Sequence, residues 1–209
     1  MRTEDKIILK AIELYNERGF SNVTSRDIAK ALDISHGNLE YHYNNKEAIL
    51  TAIYAQMKEE VSSYFSEVIS NVDPFEQFDT ILKKLDHFQT RYLFFNLDII
   101  EISRQYPKLK SKVEATIQLR KDQIANFFTM FAGSGYLQPE PTPGFYRRLQ
   151  HKIRVLITFW DAQNVILKNF DKSQNITMHL SIWDLLYPHF TEKGKQQYAR
   201  ISQKTKAAI

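Results

Sequence analysis

Cysteine is absent from all 209 residues, which excludes disulfides, zinc–thiolate sites, iron–sulfur clusters and cysteine nucleophiles. That absence suits a reducing compartment. Glycine and proline are scarce as well, at 6 each, so little interrupts the chain between turns. Alternation of the kind that marks strands is nearly missing, and the expected class is all-α. No apolar run approaches the roughly 20 residues needed to span a bilayer. The first residues, MRTEDKIILKAIELY, are acidic where a secretion signal is basic, so the expected location is the cytoplasm with no membrane partner. Phosphate-cradling glycine loops, nucleophile elbows and a His-Glu-x-x-His zinc motif are missing too. No catalytic residue, cofactor or metal site is expected, and the chain reads as a binding protein rather than an enzyme.

What is present is 43% hydrophobic residue content, 13% aromatic, enough for a substantial core. The net charge is +4, but it is unevenly spread. Residues 1–60 hold 8 Lys and Arg against 10 Asp and Glu, leaving +6 for the remaining 149. Any contact with DNA from the amino-terminal part must therefore rest on placed donors, since bulk basicity is lacking.

Ile7, Ala11, Leu14, Tyr15 and Arg18 fall at three- and four-residue steps, predicting a first helix capped by Thr3 and stopped by Gly19. Thr24 followed by Asp27 three positions later is a capping box and predicts a second, short helix ending near Leu32. Asp33 takes the turn, where left-handed backbone is needed, and Ser35 caps a third helix. A long fourth helix opens at Lys46, with Ile49, Ile53, Met57, Val61 and Val68 in its stripe. Asp73 and Pro74 open further helical spacing to Tyr106, as one kinked helix or two. Pro107 starts another helix, followed by the proline-rich loop YLQPEPTPG. Two late helices follow, with stripes from Phe145 to Leu167 and from Ile176 to Phe190, broken near Tyr187 by Pro188. The polar tail is expected to form a turn or two at most.

Residues 24–43 thus spell helix, tight turn, helix, an arrangement whose second helix enters a major groove. The nine residues SHGNLEYHY load that corner with hydrogen-bonding groups. Gly37 permits close approach to a DNA backbone, and His36 and Asn38 can face base edges. Tyr41, His42 and Lys46 offer donors to phosphates, as do Thr24, Ser25 and Arg26 at the start of the second helix.

The order GF…VTSRDIAKALDISHGNLEYHYNNKEAIL resembles the amino-terminal domain of TetR-family transcriptional regulators over about residues 4–60. The resemblance implies recognition-helix contacts from His36, Gly37, Asn38, Tyr41 and His42, with Thr24, Arg26 and Lys46 toward the DNA backbone. Two positions depart from the family pattern: Asp33 stands for a glycine, and Glu40 stands where an aromatic is common. A carboxylate at 40 faces a polyanion and costs affinity unless it accepts from a cytosine amino group or turns toward Lys46 or solvent. Tyr43 replaces the usual phenylalanine as a core residue.

The resemblance implies a helix-turn-helix DNA-binding domain over residues 1–46 and a helical ligand-binding and dimerisation domain over 47–209. The expected partners are double-stranded operator DNA, a second copy of the chain and a small-molecule inducer. Tyr92, Phe95, Arg120, Phe127 and Asn164 are the candidate ligand residues. Arg120 interrupts an apolar stripe and needs a partner, from Asp98, Glu101 or an anionic group on an apolar or aromatic inducer. Phe145, Leu149, Leu156, Trp160, Leu180, Trp183 and Tyr187 are the candidate dimer residues. The expected function is that of a repressor released from its operator by inducer. The rival is a ligand-sensing dimer that has lost DNA binding.

Overall fold

A computed structural model describes residues 1–66, 72–166 and 177–207, with side chains to 203. Val68, Leu167 and Ile176 lie outside the described residues. The described chain is all-α, with ten α-helices and one 3-10 turn. It divides into two compact units, one joining Met1–Ser63 with Phe88–Ala115 and the other joining Tyr64–His87 with Thr116–Ile209. These compact units do not follow the 46/47 boundary expected from the sequence.

The first unit begins with α1 (Thr3–Arg18), α2 (Ser25–Ala31), α3 (His36–His42) and α4 (Lys46–Ser66). Thr3 is the first helical residue, not the cap expected of it, because Arg2 holds that position and shares hydrogen bonds with Asp5. The Thr24–Asp27 capping box forms with both bonds in place. Ser35 caps α3 by accepting the Asn38 N–H at 3.1 Å. Asp33 adopts φ 54, the left-handed turn its short polar side chain tolerates. Ile7, Ile28, Leu39, Ile49 and Ile53 are fully buried together, and Tyr15 packs its ring 5.1 Å from both Phe20 and Phe94.

The span from Pro74 to Gln105 is two helices, α5 (Pro74–Arg91) and α6 (Leu93–Gln105), parted at Tyr92. Helix α6 braces the three-helix head through polar side chains that answer loose backbone ends. Asn16 donates to Arg91 O at 2.8 Å and accepts the Phe94 N–H at 2.9 Å. Asp98 accepts the Phe20 N–H at 2.9 Å, and Ser21 donates to Glu101 at 2.6 Å. The turn between α1 and α2 is thereby fixed from outside the head.

The second unit takes in most of α7 (Pro107–Gly133) together with α8 (Phe145–Ile166), α9 (Met178–Leu186) and α10 (Glu192–Ala207). Phe75 is its centre, with the rings of Phe131, Tyr136, Trp183 and Phe190 at 4.6–5.1 Å. Asp79 is buried beside them and accepts from His179 at 2.6 Å and Trp183 at 2.9 Å, while Lys83 pairs with its second oxygen at 2.7 Å. Burial alone would raise the Asp79 carboxyl, but these donors hold it below the usual carboxylate range.

The tail is a sixteen-residue helix, longer than its polar sequence suggests. Ile201 is buried, and Tyr198 lies 5.1 Å from Trp183. Gly194 packs so closely on the Tyr136 carbonyl that a Cβ would collide with backbone. Tertiary packing thus overrides a weak apolar pattern.

Candidate nucleic-acid interface

Helix α3 buries one side chain, Leu39, and turns the rest outward or to its flanks. At about 100° per residue, Gly37 and Tyr41 point opposite Leu39, with His36 and Glu40 on one flank and Asn38 and His42 on the other. Tyr41 is 86% exposed, unusual for so large an apolar ring. An added Cβ at Gly37 meets nothing within 4 Å. The protein itself does not require that glycine, although glycine inside a helix costs about 1 kcal/mol relative to alanine.

A cleft of about 420 Å³ opens beside α3, lined by Ser21, Val23, Thr24, Ser25, Arg26, His36 and Lys46. Five of the residues expected at DNA therefore line one depression. Lys46 reaches into it differently from the sequence expectation. Its ammonium donates to the Phe20 carbonyl and sits 3.9 Å from the Phe20 ring centroid. Burial pushes its pKa down, while Glu101, Asp98 and Asp27 pull it back up. An ammonium has three protons, so its remaining donors stay available to the cleft. Thr24 is committed to its cap, donating to Asp27 at 2.6 Å and holding that carboxyl below its ordinary value. Among the described residues the polar ends of Arg26, Asn38 and Tyr41 have no hydrogen-bond partner.

Two residues take other roles. The His42 Nδ1 lies 3.0 Å from Glu4 Oε1, tying α3 to the first turn of α1 instead of presenting the ring freely. Glu40 turns toward His36, its Oε2 3.6 Å from Nδ1, and not toward Lys46. Sequence reasoning did not foresee Glu4, whose partner is 38 positions away.

The five ligand candidates are shared between the two compact units. Tyr92 and Phe95 belong to the first unit, where the Tyr92 hydroxyl donates to Glu60 at 3.1 Å and Phe95 stacks on Tyr54. Phe127 is core in the second unit, between Phe78 and Phe131, and Asn164 is exposed. Arg120 takes neither Asp98 nor Glu101, which hold the α1–α2 turn. It donates to Gln123 at 2.7 Å and lies over the Phe65 ring.

Of the dimer candidates, Trp183 and Leu149 are interior to the second unit, and Phe145, Leu156 and Trp160 are half-buried. Leu180 and Tyr187 remain exposed at 41% and 43%. Helix α8 also carries an outward stripe the sequence reading passed over, with Val155, Phe159 and Ile166 exposed at steps of four and seven. Apolar residues occupy both faces of α8, so periodicity alone gave the inner one.

A braced three-helix head with its second short helix bared and capped defines a helix-turn-helix DNA-binding protein. The comparisons with known proteins agree. Residues 7–53 match the model for bacterial regulatory proteins of the tetR family, and residues 56–198 match the model for the bacterial transcriptional repressor TetR. The chain belongs to the TetR family of transcriptional regulators, and its members are regulators, not enzymes. It is 30% identical over 122 residues to the biofilm operon icaADBC negative transcriptional regulator IcaR of Staphylococcus epidermidis, a match spanning 58% of each chain. The IcaR of Staphylococcus aureus is 23% identical over 190 residues, covering 79% of this chain and 99% of that one. A crystal structure of a TetR-family regulator from Marinobacter aquaeolei superposes with TM-score 0.85 at 25% identity, over 97% of this chain and 98% of that one.

Proposed function

We propose that this regulator is a repressor that grips its operator through the outer face of α3 and the cleft beside it, as a homodimer, and lets go when a small molecule binds its helical part. Its expected place is the cytoplasm, in keeping with the lack of any helix long and apolar enough to cross a membrane among the described residues. The carrying observation is the outer face of α3, where an open Gly37 lies beside an exposed Tyr41 with Asn38 on the flank. Gly37 admits the DNA backbone, Asn38 and His36 read bases, and Tyr41, Arg26, Ser25, Thr24 and Lys46 bind phosphates. His42 holds α3 in place through Glu4.

Two-fold pairing suits this reading, since paired recognition helices meet half-sites about 34–36 Å apart. The surface that fits a second copy is Val155, Phe159 and Ile166 of α8 with Leu180 of α9 and Tyr187 just beyond its end. Residues 1–46 form the reading head and 47–209 the regulatory part. Helix α4, whose first residue lines the cleft, is the segment through which an inducer would alter the head. Such release requires an inducer with different affinity for the two arrangements.

Gel shifts on the intergenic DNA beside the gene, at two salt concentrations, test the reading. A shift that weakens with salt and with Arg26→Ala supports it. The absence of a shift at low salt would favour a sensor without DNA binding.

A further inference from the structure

The residue that neither the fold nor the phosphate contacts account for is Glu40. Its side chain is 50% exposed on the flank of α3, where a carboxylate meets the negative potential of DNA. Its sole ion-pair neighbour among the described residues is His36, at 3.6 Å. That separation exceeds a hydrogen bond, so the lone pairs of the carboxylate stay unclaimed.

A carboxylate only accepts. In the major groove, guanine offers two acceptors, and thymine offers an acceptor and a methyl group. Both repel it. Donors come from cytosine N4 and adenine N6, but adenine sets the acceptor N7 beside its donor. Cytosine is the one base whose own major-groove edge presents a donor and no acceptor, so the second carboxylate oxygen can lie on its C5–H side, away from the O6 of the paired guanine. We propose that Glu40 is a specificity-determining residue that selects a cytosine in each operator half-site. The mechanism is discrimination more than affinity: on a cytosine the carboxylate gains a charge-assisted bond, and elsewhere it sits unpaired against a polyanion. The inference rests on α3 being the reading helix.

Selection from a randomised duplex library with the full-length chain tests it. The wild-type protein should enrich duplexes with one cytosine per half-site preferred over thymine by on the order of tenfold. Glu40→Ala should reduce that preference to within about twofold while other positions keep theirs. Glu40→Gln, whose amide both donates and accepts, should move the preference to adenine at the same position. An unchanged preference in Glu40→Ala overturns the inference and leaves the operator reading intact. Failure of the wild-type chain to enrich any duplex overturns that reading, and the inference with it. Thermal melts of the variants should match the wild type because the side chain is half-exposed.

Discussion

The interior around Phe75 and the outer face of α3 both concentrate aromatic and polar side chains, and they use them in opposite ways. Around Phe75 the polar atoms are answered from within, with three side chains converging on Asp79. On α3, the side-chain polar ends of Asn38 and Tyr41 have no hydrogen-bond partner among the described residues, and the tyrosine is almost wholly exposed. The two glycines of these regions make the same point. Gly194 is required by its own protein, which packs backbone against it, whereas Gly37 faces open space. A residue that the fold does not need, kept where it costs helix stability, marks a surface shaped for something else.

Substitutions should separate the two regions sharply. The largest effect is expected at Trp183, fully buried against Phe75 and Phe78. Trp183→Ala should cost about 3–5 kcal/mol of stability in denaturant unfolding. Tyr41→Ala, by contrast, should leave unfolding within about 0.5 kcal/mol while weakening DNA binding.

A second contrast concerns carboxylates in the second unit. Asp79 is held below its ordinary pKa, so its contribution to stability is present above the unfolded-state value and is lost as pH falls through the folded one. Asp161 is raised by burial and by Asp86, and its Oδ2 is buried without a hydrogen bond. Its charge opposes folding at neutral pH, and that opposition fades as pH falls through the raised value. Asp161→Asn should therefore raise the melting temperature at neutral pH, with a gain that shrinks under acid conditions. Asp79→Asn should lower it at neutral pH.

The smallest expected effect sharpens the glycine comparison. Gly37→Ala should stabilise the protein by about 0.5–1 kcal/mol while reducing operator affinity. Gly194→Ala should destabilise it.

Most of the head was legible from sequence because its signals are local. The capping box at Thr24, the cap at Ser35 and the turn at Asp33 each act within four residues, and all three form as read. Contacts made across long separations were not legible. His42 meets Glu4, Asp98 meets Phe20, and Arg120 lies over the ring of Phe65. An aromatic stripe at helical spacing likewise reads alike whether it lines a pocket or fills a core. On α8 two apolar faces lie on one helix, and only packing tells which of them turns outward.

The most direct measurement is a titration of duplex DNA carrying the operator with the wild-type chain and with Asn38→Ala/Tyr41→Ala, each checked for an unchanged melting temperature. The account predicts at least about a tenfold loss of operator affinity in the folded double variant. Equal affinity of the two proteins would contradict it, because the face of α3 that the fold leaves free would then play no part in holding DNA.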